Sequence, residues 1–165
     1  MSAKFNVKIT QKVMFDFLVY HTYTHVMGMV AVVFGLINLT IGIHALVNQG
    51  EKWIVYSIFG LIFLFGTPIM LWFTAGTSVK GTAIFQKPIE YELSDAGVRA
   101  SQGEQGNVAP WESILRVTST RNGIFLYQGK SNAIVLPRKE MGEQEAAVIE
   151  IISTHVDPSR VKIKR

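Results

Sequence analysis

Two long stretches without a charged residue dominate this chain of 165 residues. No Asp, Glu, Lys or Arg occurs from Phe17 to Gly50 or from Trp53 to Val79, runs of 34 and 27 residues. About 20 apolar residues in a helix cross the roughly 30 Å hydrocarbon layer of a bilayer. All 28 charged residues fall on the other 104, at a density that is ordinary for a soluble protein. The sequence therefore predicts a membrane-embedded part and a water-soluble part.

The two runs predict a pair of membrane crossings. We place the first at residues 23–46 and the second at residues 53–74, and the polar link at residues 47–52 is typical of a tight helical turn. The alternative is a pair of buried helices in a soluble bundle, which would need more amphipathic partner helices than the chain offers. The first run begins too late and is too long for a cleaved signal peptide, so we expect it to be retained.

Lysines flank the hairpin at its two chain ends. Lys4, Lys8 and Lys12 precede the first crossing, and Lys80 and Lys87 follow the second, whereas the link carries one lysine beside one acid. Positive charge favours the cytoplasmic side of a membrane. We therefore expect both termini in the cytoplasm, and any folded recognition surface there or within the bilayer.

Small residues recur along one face of the first crossing at spacings of three and four. They are Gly28, Ala31, Gly35, Asn38, Gly42 and Ala45. Such a helix-packing seam allows close backbone approach in lipid. A matching face on the second crossing comprises Ser57, Gly60, Leu64, Thr67, Leu71 and Thr74. The seam serves either packing within the hairpin or contact with a second copy or a partner helix, so a homo-oligomer is one alternative. Pro68 predicts a bend, because it cannot donate to the carbonyl of Leu64.

After residue 80 the apolar period becomes two, which predicts short strands. Asn122-Gly123 is the strongest hairpin signal, and residues 101–107 are expected to form a flexible loop. Apolar residues from Met141 to Val156 predict one amphipathic helix, which ends at Asp157-Pro158. The seven predicted strands are residues 82–86, 89–93, 97–101, 107–110, 114–120, 124–128 and 133–137. The fold class is thus a membrane helical hairpin plus an α+β domain of about seven antiparallel strands closed by a C-terminal helix.

Apolar and polar residues alternate over residues 4–10, a pattern typical of a half-buried strand. An amphipathic helix is expected to follow through about Tyr20, and Thr10 can cap it. Because a hairpin returns the chain to its starting side, we expect this strand to join the later sheet or its rim. The predicted organisation is an N-terminal strand and helix at 1–21, the hairpin at 22–79, the sheet domain at 80–157 and a basic tail at 158–165.

The residue types that carry chemistry form no recognisable catalytic arrangement. His21 and His25 stand four apart, a spacing that can hold a metal, but the chain has no Cys and the nearest acid lies more than a turn away. No serine or acid pattern indicates a nucleophile and base. From Lys80 onward 12 basic residues stand against 10 acidic ones, without a broad basic stripe. We expect no enzyme, no metal, no cofactor and no nucleic-acid partner.

Clusters of basic residues suggest contact with an anionic bilayer surface. A Lys or Arg held there contributes about 1 kcal/mol. The alternative is that these residues only set the membrane topology and form a solvated tail. The candidate lipid contacts are Lys8, Lys12, Lys80, Lys87, Arg160, Lys162, Lys164 and Arg165.

Three short motifs after the apolar helices carry a family resemblance. They are the turn at residues 91–98, the Trp-Glu-Ser-Ile sequence at 111–114 and the Val-Leu-Pro-Arg sequence at 135–138. With the two N-terminal helices they resemble the YcxB-like family of bacterial membrane proteins. The resemblance implies a pleckstrin-homology-like (PH-like) domain, a bent antiparallel sheet closed by a C-terminal helix, and a place in the bacterial inner membrane. It implies no catalytic residues.

Two functions follow as hypotheses. The first is a membrane-tethered cytoplasmic PH-like module that binds a protein, a peptide or an anionic lipid. The second is a small assembly or transport-associated subunit in envelope stress or in protection against a membrane-active peptide, acting through the helix-packing seam.

Overall fold

The chain folds into a long apolar hairpin and a two-sheet domain in this computed structural model, which describes residues 2–103 and 105–163. The helices are α1 (Gln11–Thr24), α2 (Val26–Val47), α3 (Trp53–Leu61), α4 (Thr67–Gly81), α5 (Arg138–Met141) and α6 (Glu145–His155). A π-helical turn (Ile62–Gly66) joins α3 to α4. The strands are β1 (Ala3–Val7), β2 (Ile89–Ser94), β3 (Gly97–Gln102), β4 (Gln105–Ala109), β5 (Arg116–Ser119), β6 (Gly123–Tyr127), β7 (Ala133–Pro137) and β8 (Val161–Lys162).

The hairpin contains two helices that are long and apolar enough to span a membrane. They are Val26–Val47, which is α2, and the continuous helical run Trp53–Gly81, with mean hydropathies of 2.3 and 2.1. Most of their large apolar side chains, including Phe34, Ile43 and Phe65, are exposed. A helix that is apolar on all sides and unburied by its own chain is typical of one that faces lipid.

Both helices differ from the predicted crossings at the ends nearest the sheet domain. The first helical run breaks at His25, whose extended backbone (φ −90°, ψ 148°) separates α1 from α2, so the span begins at Val26. The second continues past Thr74 to Gly81, because its last turns pack against α1, where Ala75 is completely buried.

A π turn directly precedes Pro68, the residue at which a bend is predicted. Residues Ile62–Gly66 adopt π geometry immediately before Thr67-Pro68, which begin α4. Proline removes one helical hydrogen-bond donor, and a π turn is a common local adjustment of such a helix.

The first sheet has the strand order β1-β2-β3-β4 and contains the N-terminal strand. β1 runs antiparallel to β2, with Phe5 opposite Tyr91 and Val7 opposite Ile89. The N-terminal strand expected from the alternation therefore extends this sheet. The whole hairpin is an insertion between β1 and β2, the first two strands of this sheet. The predicted domain boundary at residue 80 therefore separates β1 from β2, the strand with which it pairs.

The second sheet has the order β7-β6-β5-β8 and packs against the C-terminal helix. β8 runs parallel to β5, with Val161 opposite Val117. The two sheets and α6 enclose one apolar core, to which α1 adds Phe17. Its most deeply buried members are Val7, Leu93, Val98, Ile114, Val117, Ile124, Phe125, Leu126, Tyr127, Leu136, Val148, Ile151 and Ile152.

Eight strands are present in the described part of the chain, so the predicted count of seven is wrong. The predicted strand at residues 82–86 is a 3₁₀ turn (Ala83–Phe85), because Gln86 folds back and its Nε2 donates to the carbonyls of Val79 and Lys80, at 2.7 and 3.0 Å. β1 and β8 bring the total to eight. Among the other predicted strands the order is as expected, with bounds shifted by up to two residues.

Two further local predictions are corrected. The described residues of the predicted loop at 101–107 lie mostly in strands: Gln102 pairs with Gln105 in a hairpin whose turn includes Gly103 at φ +63°, and residue 104 lies outside the described residues. The single C-terminal helix is divided, because Gly142 at φ +53° interrupts it after the short α5, and α6 begins at Glu145.

Candidate functional site at the junction of hairpin and domain

The helix-packing seam of α2 lies against the chain's own second helix. A Cβ at Gly35 would stand 2.8 Å from Leu64 Cγ, and one at Gly42 would stand 2.6 Å from Ser57 Oγ and 3.0 Å from the Ser57 backbone nitrogen. On the opposite helix, a Cβ at Gly60 would stand 2.6 Å from Leu39 Cγ. These approaches leave no room for a third helix at the same positions.

The other members of the seam are enclosed as well. Gly28 is buried against the Thr22 carbonyl at the end of α1, and Ala31 and Ala45 are half-buried. Asn38 is buried, and its Nδ2 donates to the Phe34 carbonyl at 2.9 Å within α2. The structure therefore brings the seam together as packing within the hairpin, and the amide is satisfied inside its own helix.

One side of α1 is fastened to the returning helix α4. Gln11 Nε2 donates to the Trp72 carbonyl at 2.9 Å, and the rings of Phe15 and Trp72 meet edge to face with centroids 5.2 Å apart. A Cβ on Gly76 would stand only 2.9 Å from Gln11 Nε2. Gly76 thus permits the close approach of α1 to α4.

The other side of α1 is fastened to the sheet domain. The Asp16 carboxylate accepts from Thr120 Oγ1 at 2.7 Å and from Asn122 Nδ2 at 3.0 Å, both in the turn between β5 and β6. Phe17 packs edge to face on Phe125, with centroids 5.4 Å apart. Because α1 contacts both parts, the hairpin and the domain are held in one arrangement.

The predicted lipid contacts in the described part of the chain are all exposed. The pairing of Val7 with Ile89 places Lys8 and Lys87 near the same end of the β1–β2 pair, and Lys80 lies in the last turn of α4. Arg160 lies in the 3₁₀ turn after α6, and Lys162 lies in β8. Lys164 and Arg165 lie outside the described residues.

A basic cavity forms where the first turn of α1 meets the domain. It has a volume of about 320 Å³ and brings Lys12 together with Arg121 and Lys139, two residues that the sequence analysis missed. Arg121 follows β5 and Lys139 follows β7, so each lies at a strand end. Basic residues at strand ends are a weak signal, and only the docking of α1 brings them beside Lys12. The cavity is lined by Thr10, Lys12, Val13, Arg121, Asn122, Pro137, Arg138, Lys139 and Glu140.

His21 and His25 lie close together at the junction of α1 and α2, with ring centroids 4.5 Å apart. Burial, and then the neighbouring His25 and Arg116, lower the pKa of His21 below its ordinary value. His21 Nδ1 is buried without a hydrogen-bond partner among the described residues, and the Arg116 guanidinium lies over the nearby Tyr127 ring, 4.5 Å from its centroid. No group of three or more potential metal ligands occurs among residues 2–103 and 105–163, so the pair stands without a third ligand there.

One comparison with known proteins matches part of the sheet domain. The family model described as YcxB-like protein matches residues 93–152, a range that extends from the end of β2 to the middle of α6. The comparisons with curated proteins and with solved structures gave no match. The resemblance drawn from the sequence motifs is confirmed over this range, and the two apolar helices that precede it are compatible with it.

Proposed function

We propose that the chain is a membrane-tethered binding module, because residues 93–152 match the YcxB-like family model and follow two potential membrane-spanning helices. Its location is the bacterial inner membrane, with both termini and the sheet domain in the cytoplasm. Its partner is a protein, a peptide or an anionic lipid at the inner membrane surface. The hairpin is the tether and the domain carries the recognition surface.

The insertion of the hairpin between β1 and β2 is the observation that carries this proposal. A tether joined at one point lets a domain swing away from the bilayer on a linker. Here two chain connections and the α1 contacts at Asp16 and Gln11 hold the domain at the base of the hairpin. The arrangement favours a module that works at the membrane surface in a fixed orientation.

The arrangement of strands supports a PH-like assignment for the domain. A four-stranded antiparallel sheet that includes β1 is followed by the antiparallel strands β5, β6 and β7 and then by α6. The family resemblance implies such a bent sheet closed by a C-terminal helix. A PH-like domain has an open surface suited to binding and needs no catalytic group.

Tethering supplies the mechanism. A module held beside the bilayer meets other membrane components at a high effective concentration, so a weak intrinsic contact suffices for occupancy. Exposed apolar residues of the domain mark where a protein or peptide would contact it: Val108 lies on the edge strand β4 and is 47% exposed, and Leu115, before β5, is 55% exposed.

The seam does not favour the second function class. An assembly or transport subunit acting through the seam needs that face open to another chain. α3 and the π turn occupy it instead, with Leu64 against Gly35 and Ser57 against Gly42. We therefore propose the binding module alone.

Photocrosslinking in intact membranes tests the proposal. A photoreactive amino acid replaces one exposed residue of the full chain at a time: Val108, Leu115, Lys139 or, as the control, Lys130 in the turn after β6. We expect an adduct of defined mass at one or two of the first three positions and none at Lys130. Equal labelling at all four positions, or none at any, would contradict a specific binding surface.

A further inference from the structure

We propose that the basic cavity at the base of the hairpin binds the phosphate group of an anionic lipid headgroup. This inference rests on the proposed function, and it names the ligand class and its site. The cavity is the pocket between the first turn of α1, the β5–β6 turn and the start of α5, defined above by the residues that line it.

The cavity lies beside the level at which the hairpin meets the bilayer surface. Gln11, next in sequence to Lys12, donates to the Trp72 carbonyl at 2.9 Å, and Phe15 packs on the Trp72 ring. Trp side chains are enriched at the membrane–water boundary. A lipid whose tails lie along the hairpin therefore has its headgroup near the mouth of the cavity.

The charge of the lining favours an anion. Lys12, Arg121 and Lys139 form no ion pair among residues 2–103 and 105–163, whereas Arg138 pairs with Glu145 on α6. Glu140 is the one carboxylate of the lining. Apart from Arg138, the lining thus carries three cationic side chains and one carboxylate. Asp16, one turn after Lys12, lies outside the lining, and its carboxylate accepts hydrogen bonds from the Thr120 and Asn122 side chains.

The walls of the cavity are held by hydrogen bonds that do not use these three cations. The Arg138 backbone N–H donates to the Asn122 carbonyl at 2.9 Å, and its Nε donates to the Thr120 carbonyl at 3.2 Å. Thr10 Oγ1 accepts from the Val13 N–H at 3.3 Å and caps α1. Arg121 and Lys139 thus project from fixed backbone, and a headgroup meets an arrangement that is already formed.

The size and the residue types of the lining fit a phosphate diester. A volume of about 320 Å³ lies at the lower end of the range for small-molecule sites, enough for a headgroup and too small for a folded partner. Guanidinium binds phosphate oxygens in a bidentate fashion, and lysine adds a point charge. By contrast, the larger groove along α6 is lined by Glu143, Glu145 and Glu150, which would repel an anion.

Native mass spectrometry of the full chain in a neutral detergent tests the site. The probes are dihexanoyl phosphatidylglycerol, dihexanoyl phosphatidylcholine and inorganic phosphate, each titrated separately. The double variant Arg121→Gln, Lys139→Gln is compared with Lys130→Gln, a matched control at an exposed lysine outside the cavity. All three side chains are exposed, so each variant is expected to keep the wild-type thermal unfolding temperature.

We expect one bound phosphatidylglycerol per wild-type chain, with weaker binding of the other two probes. Removing a surface cation weakens anionic-lipid binding about fivefold, so the double variant should bind roughly 25-fold more weakly and Lys130→Gln should be unchanged. Equal binding by the wild type and the double variant would overturn the site. An equal loss in Lys130→Gln would show a general charge effect instead. Inorganic phosphate bound as tightly as the lipid would overturn the lipid assignment in favour of a soluble phosphate compound.

These outcomes separate this inference from the proposed function. A defined adduct at Val108 or Leu115 together with no lipid binding at the cavity would leave the binding module in place and remove only its lipid site. No adduct at any tested position and no bound lipid would remove both.

Discussion

Replacing Gly60 by alanine should destabilise the hairpin, because the added methyl group has no space. Its Cβ would stand 2.6 Å from Leu39 Cγ and 2.8 Å from the Leu39 backbone nitrogen. Non-bonded carbon atoms prefer separations of about 3.5–4.0 Å, so α2 and α3 must move apart by about 1 Å. The leucine side chain can rotate away, but its backbone nitrogen cannot.

The expected cost follows from two opposing effects. Overpacking a close contact costs about 1–3 kcal/mol, and alanine recovers about 0.5–1 kcal/mol through its better helix propensity. The difference between these two ranges is about 0–2.5 kcal/mol, and because the Leu39 backbone nitrogen cannot move aside we expect Gly60→Ala to lower the free energy of unfolding by about 1–2 kcal/mol within it. Gly66→Ala is the matched control, because its Cβ would contact only Ile62 Cγ2 at 3.7 Å, an ordinary separation. It should be neutral or slightly stabilising.

Reversible unfolding of the full chain in mixed micelles, with a rising fraction of sodium dodecyl sulfate, measures the difference. Tryptophan fluorescence reports the hairpin through Trp53 and Trp72 when every chain compared also carries Trp111→Phe in the sheet domain, and far-ultraviolet circular dichroism reports the helices. Equal unfolding free energies for the two alanine variants would refute the close approach of α2 and α3. A destabilised Gly66→Ala beside an unchanged Gly60→Ala would refute the assigned helix faces.

Three further predictions concern the contacts that join the hairpin to the domain. Asp16→Ala should lower the free energy of unfolding by about 1–3 kcal/mol, because the Thr120 and Asn122 side chains lose their acceptor, and Asp16→Asn should lower it less. Equal thermal unfolding temperatures for the wild type and both variants would count against this contact. Phe5→Ala should cost about 3–5 kcal/mol, since Phe5 is 7% exposed and belongs to the shared core, and limited proteolysis should then cut the sheet domain faster. Burial, and then the neighbouring His25 and Arg116, lower the pKa of His21 from 6.5, so the unfolded chain binds a proton at this side chain more readily than the folded chain. The free energy of unfolding should therefore fall as the pH drops below about 7 toward the lowered pKa. His21→Gln should flatten that part of the profile of thermal stability against pH. An unchanged slope in the variant would contradict the assignment to His21.

The sequence predicts the parts of this fold that depend on local pattern. The absence of charged residues over more than 20 consecutive positions is enough to predict both long helices. Alternation in residues 4–10 predicts β1, and Asn122-Gly123 between two strand-like runs predicts the β5–β6 hairpin. Spacing alone predicts the seam, and its position against α3 and the π turn follows from the close approach that small residues permit.

Features that depend on contacts distant in sequence were missed. Residues 82–86 have strand-like composition, but Gln86 is used to cap the carbonyls at the end of α4, and that contact determines a turn. β8 is only two residues long and exists through its pairing with β5. The basic cavity combines Lys12 with Arg121 and Lys139, more than 100 residues later, and their proximity depends on the docking of α1 through Asp16.

Accessibility labelling of single cysteines tests the transmembrane arrangement most directly. The natural chain has no cysteine, so each introduced thiol is unique. Asn48→Cys marks the turn after α2, and Lys130→Cys marks an exposed turn of the sheet domain. In intact bacterial cells we expect a membrane-impermeant maleimide to label position 48, and to label position 130 only after the membrane is permeabilised. Labelling of both positions from the same side would contradict a hairpin that crosses the bilayer with its domain on the inner face.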